Sequence, residues 1–224
     1  MKILILGATG GTGRLIVGAA AAGGHEVVAL VRSKAKAAGL VGATLVEGDA
    51  RDEAALSRAI AGCDAVVSAL GTAVSPFRKV TLLSTATRAL VAVMERQGVR
   101  RLVCITGMGA GDSRGHGGFF YDRLFQPLLL RQVYEDKDRQ EAAIQSSQLD
   151  WIIVRPTVLN DEPARGRVRA LTDLTGVHGG RIARADVADF VVQQLAADTW
   201  LHRTPLITWQ DGARPARTAS DRRI

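Results

Sequence analysis

Aromatic side chains are scarce in this sequence: they make up 4% of 224 residues, while apolar residues as a class reach 47%. The core must therefore be built from Val, Ile, Leu and Ala, and this length suffices for one α/β domain with a substantial interior. Long apolar runs are missing, and nothing approaches the ~20 residues needed to cross a bilayer. Before Gly7 only Ile3 to Leu6 are apolar in sequence, short of the roughly 7–15 residues of a secretory h-region. No membrane partner is expected, and a cytoplasmic location follows by default. Cysteine is nearly absent. Cys63 and Cys104 stand far apart in no metal-ligand spacing, and His25, His116, His178 and His202 form none either. Buried free thiols, no disulfide and no metal site are expected. Also missing is any stripe of Lys and Arg interleaved with aromatics, as a single-strand groove would need. The net charge of +7 is spread along the chain, so no nucleic-acid partner is expected.

What is present is an alternation of apolar runs and helical patterns. Strands are expected at Lys2–Leu6, Glu26–Val31, Thr44–Val46, Ala65–Ala69, Leu102–Ile105 and Trp151–Val154, with a short last one at Leu206–Thr208. Between them, helices are expected over Thr12–Ala22, Asp52–Ile60, Lys79–Gln97, Tyr121–Ser147 (broken near Pro127) and Ala185–Ala197, with a short helical piece near Ser33–Ala38. Asp52 reads as a helix cap, with Glu53 near the positive end. Strands separated by helices of ten or more residues imply right-handed βαβ units and a parallel sheet. Residues 1–209 read as a single domain. Gln210–Ile224, with four Arg, two Asp and almost nothing apolar, reads as a basic flexible tail.

Gly7-Ala8-Thr9-Gly10-Gly11-Thr12-Gly13 lies between the first strand and the first helix. Glycines there let the backbone turn tightly and approach a pyrophosphate, and the helix start offers free N–H groups and a positive dipole end. Gly7, Gly10 and Gly13 are spaced three apart, unlike the more usual G-x-G-x-x-G. That context selects a dinucleotide site over a bare βα turn. An NAD site usually has Asp or Glu at the end of the second strand, where it bonds the ribose 2′-hydroxyl. Here Arg32 stands there, followed by Ser33, Lys34 and Lys36. A guanidinium binds a 2′-phosphate through charge-assisted hydrogen bonds of about 1.5–3 kcal/mol each, a roughly ten- to hundred-fold preference. NADP(H) is the expected cofactor.

With that turn, Arg32, Glu47-Gly48-Asp49, the stretch from Tyr134 through Lys137 to Glu141, and Leu149 to Arg155-Pro156 in view, the chain resembles the atypical short-chain dehydrogenase/reductases of the NmrA-like type. Within them it is similar to the NAD(P)H-binding group that includes flavin and biliverdin-IXβ reductases. The resemblance covers about residues 1–208. It implies a Rossmann-type doubly wound parallel sheet with a small C-terminal substrate-side region. It implies that Asp49, with Ala50 beside it, accepts from the adenine amino group. Ser68, Ala69, Leu70 and Gly71 would line the adenine-ribose side, and Thr106 would face the nicotinamide end. Lys137 would reach the nicotinamide ribose, and Pro156, Thr157 and Val158 would lie by the carboxamide.

The chain departs from the Tyr-x-x-x-Lys pair of the better-known short-chain dehydrogenases. Tyr134 and Lys137 are three apart, and Tyr121 has Phe125 four residues on. Residues i and i+4 share a helix face, as that acid chemistry requires. Flavin or quinone reduction needs less from the protein, because the cofactor supplies the hydride. The expectation is an NADPH-dependent reductase of a small planar or conjugated acceptor, with Lys137 positioning the cofactor and Thr106 orienting the acceptor. A non-catalytic NADP(H) sensor acting through a protein partner stays open, as does the choice between monomer and homodimer. An epimerase fits less well, with about seventy residues after Pro156.

Three further features carry weaker signals. Gly107–Gly118, with six glycines in twelve residues, reads equally as substrate rim, with a lid that orders on binding, or as a loose surface excursion. Phe119, Phe120, Tyr121 and Phe125 follow it, and packing against the sheet outweighs stacking on a ligand. Arg165, Arg167 and Arg169 alternate, which suits the solvated face of an extended segment more than an anion site.

Overall fold

Alternation along the strands decides which helix covers which face. The structure, a computed structural model, describes residues 1–73, 79–116 and 130–210. In β1 (Lys2–Leu6) Ile3 and Ile5 point to one side of the sheet and Leu4 and Leu6 to the other, as a period of two requires. The first pair packs against Ile16, Val17 and Ala20 of α1 (Gly11–Ala22) and Val187 and Val191 of α5 (Arg184–Gln193). The second pair meets Leu56 of α2 (Glu53–Ile60), Leu90 and Met94 of α3 (Leu82–Gln97) and Ile144 of α4 (Arg131–Gln145). Both faces of the sheet are thus covered, which is why its strands read as continuous apolar runs.

The remaining strands are β2 (Glu26–Val31), β3 (Ala43–Glu47), β4 (Ala65–Ser68), β5 (Arg101–Ile105), β6 (Asp150–Pro156), β7 (Val158–Asn160), β8 (Val168–Leu171), β9 (Arg181–Ala183) and β10 (Leu206–Trp209). Eight of them form one sheet in the order β3-β2-β1-β4-β5-β6-β10-β8. All neighbours are parallel except β8, which runs antiparallel to β10. β1 lies between β2 and β4, in register at Leu4 with Val28 and Val66. The winding therefore reverses at β1, and its carboxyl end opens the crevice where α/β sheets take ligands.

β7 and β9 were not expected from the sequence, while β8 overlaps the arginine segment read there as extended. β7 and β9 pair with each other in a separate two-stranded sheet. The arginine segment beside β8 is not a solvated face throughout: the Arg165 guanidinium lies 3.6 Å from the centroid of the buried Trp209 ring. The Trp209 indole donates to the buried Asp186 carboxylate at 2.7 Å, which also accepts from the Gly166 N–H at 2.8 Å. This carboxylate ties the chain between β7 and β9 to the start of α5.

The helix expected from Lys79 begins at Leu82, and the described part of the one expected over Tyr121–Ser147 is α4. Pro127, Phe119, Phe120, Tyr121 and Phe125 lie outside the described residues, as does the expected tail beyond Gln210. Asp52 caps α2 as expected, accepting from the Ala54 N–H at 2.9 Å. Both cysteines are buried free thiols; burial pushes Cys63 up to about 11 and Cys104 up to about 12. No described helix is long and apolar enough to cross a membrane.

The start of α3 is capped from outside. Thr81 offers it no side-chain bond. Instead the fully buried Asp136 of α4 accepts from the Leu83 N–H at 2.8 Å and the Ser84 hydroxyl at 2.5 Å. Asp136→Ala leaves these donors buried and unpaired, so a loss of about 2–4 kcal/mol is expected. Urea unfolding of the two proteins checks it; a loss under half a kilocalorie would refute the capping role.

Candidate cofactor and acceptor site

The turn after β1 is tight because two backbones meet in it. Gly7 has φ +77°, and a Cβ there would collide with the Ala69 carbonyl at the exit of β4. A Cβ on Gly13 would collide with the Gly7 carbonyl. The Gly10 N–H closes the turn on the Gly7 carbonyl at 3.0 Å. No side chain caps α1, and its first turn holds no acidic residue, so its N–H groups face the crevice uncompensated. This cradle fits a pyrophosphate.

A cavity of about 280 Å³ opens from the turn. Gly10, Gly11, Thr12 and Gly13 form one wall, and Ala69, Leu70 and Gly71 after β4 form the next. Thr106 and Lys137 stand across from them. A second recess, of about 310 Å³, is lined by Thr9, Val31, Arg32, Ser33 and Lys36. Arg32, directly after β2, shares this recess with Thr9 of the turn. The Glu47 carboxylate accepts from the Lys34 N–H at 2.9 Å and so fixes that basic loop.

Other expected site residues stand apart from the cavity lining. Asp49 is engaged by Arg51, which donates from its backbone at 2.8 Å and its guanidinium at 2.6 Å; the Arg51 bond holds the carboxyl down to about 2. Ala50 follows it, packed against the apolar layer beneath α2. Ser68 is buried within the sheet, and the Thr157 hydroxyl turns to Thr208 of β10 at 3.2 Å. The Pro156 carbonyl accepts from the Met108 N–H at 2.9 Å, and Val158 is exposed.

Behind Thr106 lies a group of charges that sequence reasoning missed. Its hydroxyl donates to Glu141 at 2.6 Å. Glu141 in turn accepts two bonds from Arg155, at 3.0 and 2.5 Å, with both side chains almost fully buried. Arg155 also pairs with Asp112 in the loop after β5. The bidentate fork and the hydroxyl satisfy a carboxylate that would otherwise be costly to bury. The signal was an arginine ending an apolar run, with Glu141 four residues after Lys137 and so on the same helix face.

The Thr106 hydroxyl, expected to orient the acceptor, donates instead to Glu141 behind it. The Lys137 ammonium donates to the Thr106 carbonyl at 2.6 Å. Burial pushes its pKa down to about 8, against the pull of the Glu141 carboxylate. Tyr134 donates its hydroxyl to the Met108 carbonyl at 2.8 Å. Among the described residues lining the cavity, Lys137 and Arg184 are the titratable ones; Arg184 was not anticipated.

The loop after β5 is no loose excursion over residues 107–116. Met108, Ala110 and Ser113 are buried, and the Ser113 hydroxyl bridges the Gly109 N–H at 2.9 Å and the Ala110 carbonyl at 2.6 Å. Gly107 has φ +150°, and a Cβ there would stand 2.9 Å from the Lys137 nitrogen. His116 stacks near His178 with ring centroids 6.1 Å apart.

Comparison with known proteins leads to the same cofactor. A family profile described as NAD(P)H-binding matches residues 7–198. A Bacillus subtilis protein called an uncharacterized sugar epimerase, YhfK, is 29% identical over 204 residues, which are 87% of this chain and 88% of that protein. Among solved structures, ChuY, described as an anaerobillin reductase from Escherichia coli O157:H7, matches with a TM-score of 0.81 at 26% identity, covering 96% of this chain and 100% of that one. A short-chain dehydrogenase/reductase from Veillonella parvula in complex with NADP shares the fold, with a TM-score of 0.73 at 15% identity over 97% of this chain and 98% of that one. With residues 7–198 matched and a glycine cradle shaped for a pyrophosphate, the chain belongs to the NAD(P)H-binding family.

Proposed function

We propose that the protein is an NADPH-dependent reductase that passes hydride to a small planar or conjugated acceptor, such as a flavin, a quinone or a tetrapyrrole-like molecule. One observation carries this reading. Among the described residues, the tyrosine and threonine hydroxyls beside Lys137 are turned away from the cavity: Tyr134 donates to Met108 and Thr106 to Glu141. Carbonyl reduction by a tyrosine acid has no counterpart among the described residues. An acceptor that delocalises the incoming electron pair needs mainly to be held over the nicotinamide. Ile105, Val133 and Leu159 give the cavity an apolar side for a flat ring. The anaerobillin reductase among the structural relatives fits this acceptor class.

In this reading Arg32 and Lys36 bind the 2′-phosphate in their recess, and Asp49 and Ala50 border the adenine. The turn residues Gly7, Thr9, Gly10, Gly11, Thr12 and Gly13 take the pyrophosphate. Lys137 holds the nicotinamide ribose, and its bond to the Thr106 carbonyl sets its position. Glu141 and Arg155 fix Thr106 from behind.

The cofactor preference is testable through Arg32. Arg32→Asp should weaken NADPH binding about ten- to hundred-fold and leave NADH nearly unchanged; equal loss for both would sink the 2′-phosphate assignment. For activity, NADPH oxidation is followed by absorbance with riboflavin, FMN and a simple quinone in turn. Acceptor-dependent turnover that drops at least tenfold in Lys137→Ala supports the reductase. Tight NADPH binding without turnover on any of them favours a cofactor-sensing protein instead.

Lys137 also gives a pH signature. Its native pKa of about 8 lies below the 10.5 of an ordinary lysine, so the unfolded chain holds the proton more tightly. Wild type therefore loses stability as pH falls from about 10.5 to about 8, and the loss is complete below that. Lys137→Met lacks this term, so its urea midpoint relative to wild type should rise between pH 10.5 and pH 7. A difference that does not change with pH would refute the depressed pKa.

A further inference from the structure

Arg184 opens α5, where a cation works against the helix dipole. Its pairing there is weak compensation. The guanidinium donates to Asp161 at 2.7 Å, but Asp161 is 86% exposed, and such surface pairs contribute little. The side chain nevertheless takes a defined course. Its Cδ and Nε pass so close to the turn that a Cβ on Gly11 would stand 3.2 Å from each. Gly11 has no positive φ, and the Arg184 chain is what a Cβ there would press against. Arg184 also lines the same cavity as Gly10–Gly13.

From this placement we infer that Arg184 is a pyrophosphate-binding residue, which leaves Asp161 for the cofactor when the dinucleotide enters. The uncapped start of α1 and the Arg184 side chain line the same cavity, so the two phosphates would meet donors from two elements. Asp161 directly follows β7, whose Leu159 lines the acceptor side of the cavity. Exchange of partners by Arg184 thus joins cofactor binding to the β7–β9 segment. This inference rests on the family's NAD(P)H binding and is independent of the acceptor and of the 2′-phosphate assignment.

The test uses fluorescence or calorimetric titration of the purified full chain with NADPH, NADH and adenosine 2′-monophosphate, which lacks the pyrophosphate. Arg184→Ala should weaken NADPH and NADH by the same factor, about tenfold, and leave adenosine 2′-monophosphate within twofold. Arg184→Lys should recover part of the loss, and Asp161→Asn, which releases the guanidinium, should tighten NADPH. The inference is overturned if Arg184→Ala leaves both dinucleotides within twofold of wild type. It is equally overturned if adenosine 2′-monophosphate weakens as much as NADPH, since that marks a collapsed site. A loss confined to NADPH would place Arg184 at the 2′-phosphate and likewise overturn it. Arg32→Asp, run in parallel, reports on the 2′-phosphate reading alone.

Discussion

Gly7, Gly13 and Ala69 bring three stretches of backbone closer together than any side chain would permit. The exit of β1, the first turn of α1 and the exit of β4 are pressed into contact where the winding of the sheet reverses. The crevice exists because the strands diverge there, but its floor is set by this contact. A methyl group at Gly7 or Gly13 would push α1 away from the sheet and move the cradle's N–H groups with it. The wall contributed by Leu70 and Gly71 takes its distance from the same point, so this side of the crevice depends on missing atoms more than on attractive ones.

The opposite wall is stiffened by the reverse device, a set of buried charges. Arg155, Glu141 and Thr106 form a chain of hydrogen bonds that runs from the sheet through α4 to the strand end beside the cavity. Burying an ion pair is costly in itself, and an apolar core of equal volume often serves stability as well or better. What such a network provides is a fixed direction for each group. Lys137 receives its position from the Thr106 carbonyl, and the loop after β5 is held by Asp112 on the same arginine. The Asp136 clasp on α3 applies the same logic one turn away on α4.

The fold and the cofactor end of the site were legible in the sequence, and for physical reasons. Apolar runs of four or more residues, glycines after β1 and a basic residue closing β2 are local features, and their meaning does not depend on distant partners. The short β7 and β9 were not legible, because they pair only with each other, outside the alternation of strands and helices that marks the main sheet. Arg184 and Glu141 were missed for a different reason. Each acts through a partner remote along the chain, Gly11 for one and Arg155 for the other, and a linear pattern holds no trace of such a meeting. Thr106 and Arg165 show the same limit: the sequence does not reveal that the hydroxyl of one is committed to Glu141 and the guanidinium of the other to Trp209.

The two thiols supply a chemical record of how this architecture opens. Cys104 sits in β5, in the interior of the sheet, while Cys63 lies in the turn that leads into β4. Burial raises both above the range in which a thiolate forms at neutral pH, and the thiolate is the species that an alkylating reagent attacks. In the folded protein neither should react at an appreciable rate. Cys63 becomes available when a peripheral turn loosens, whereas Cys104 becomes available when the sheet itself comes apart. Local breathing and global unfolding are thus separated along the chain by two sulfur atoms that the protein already carries.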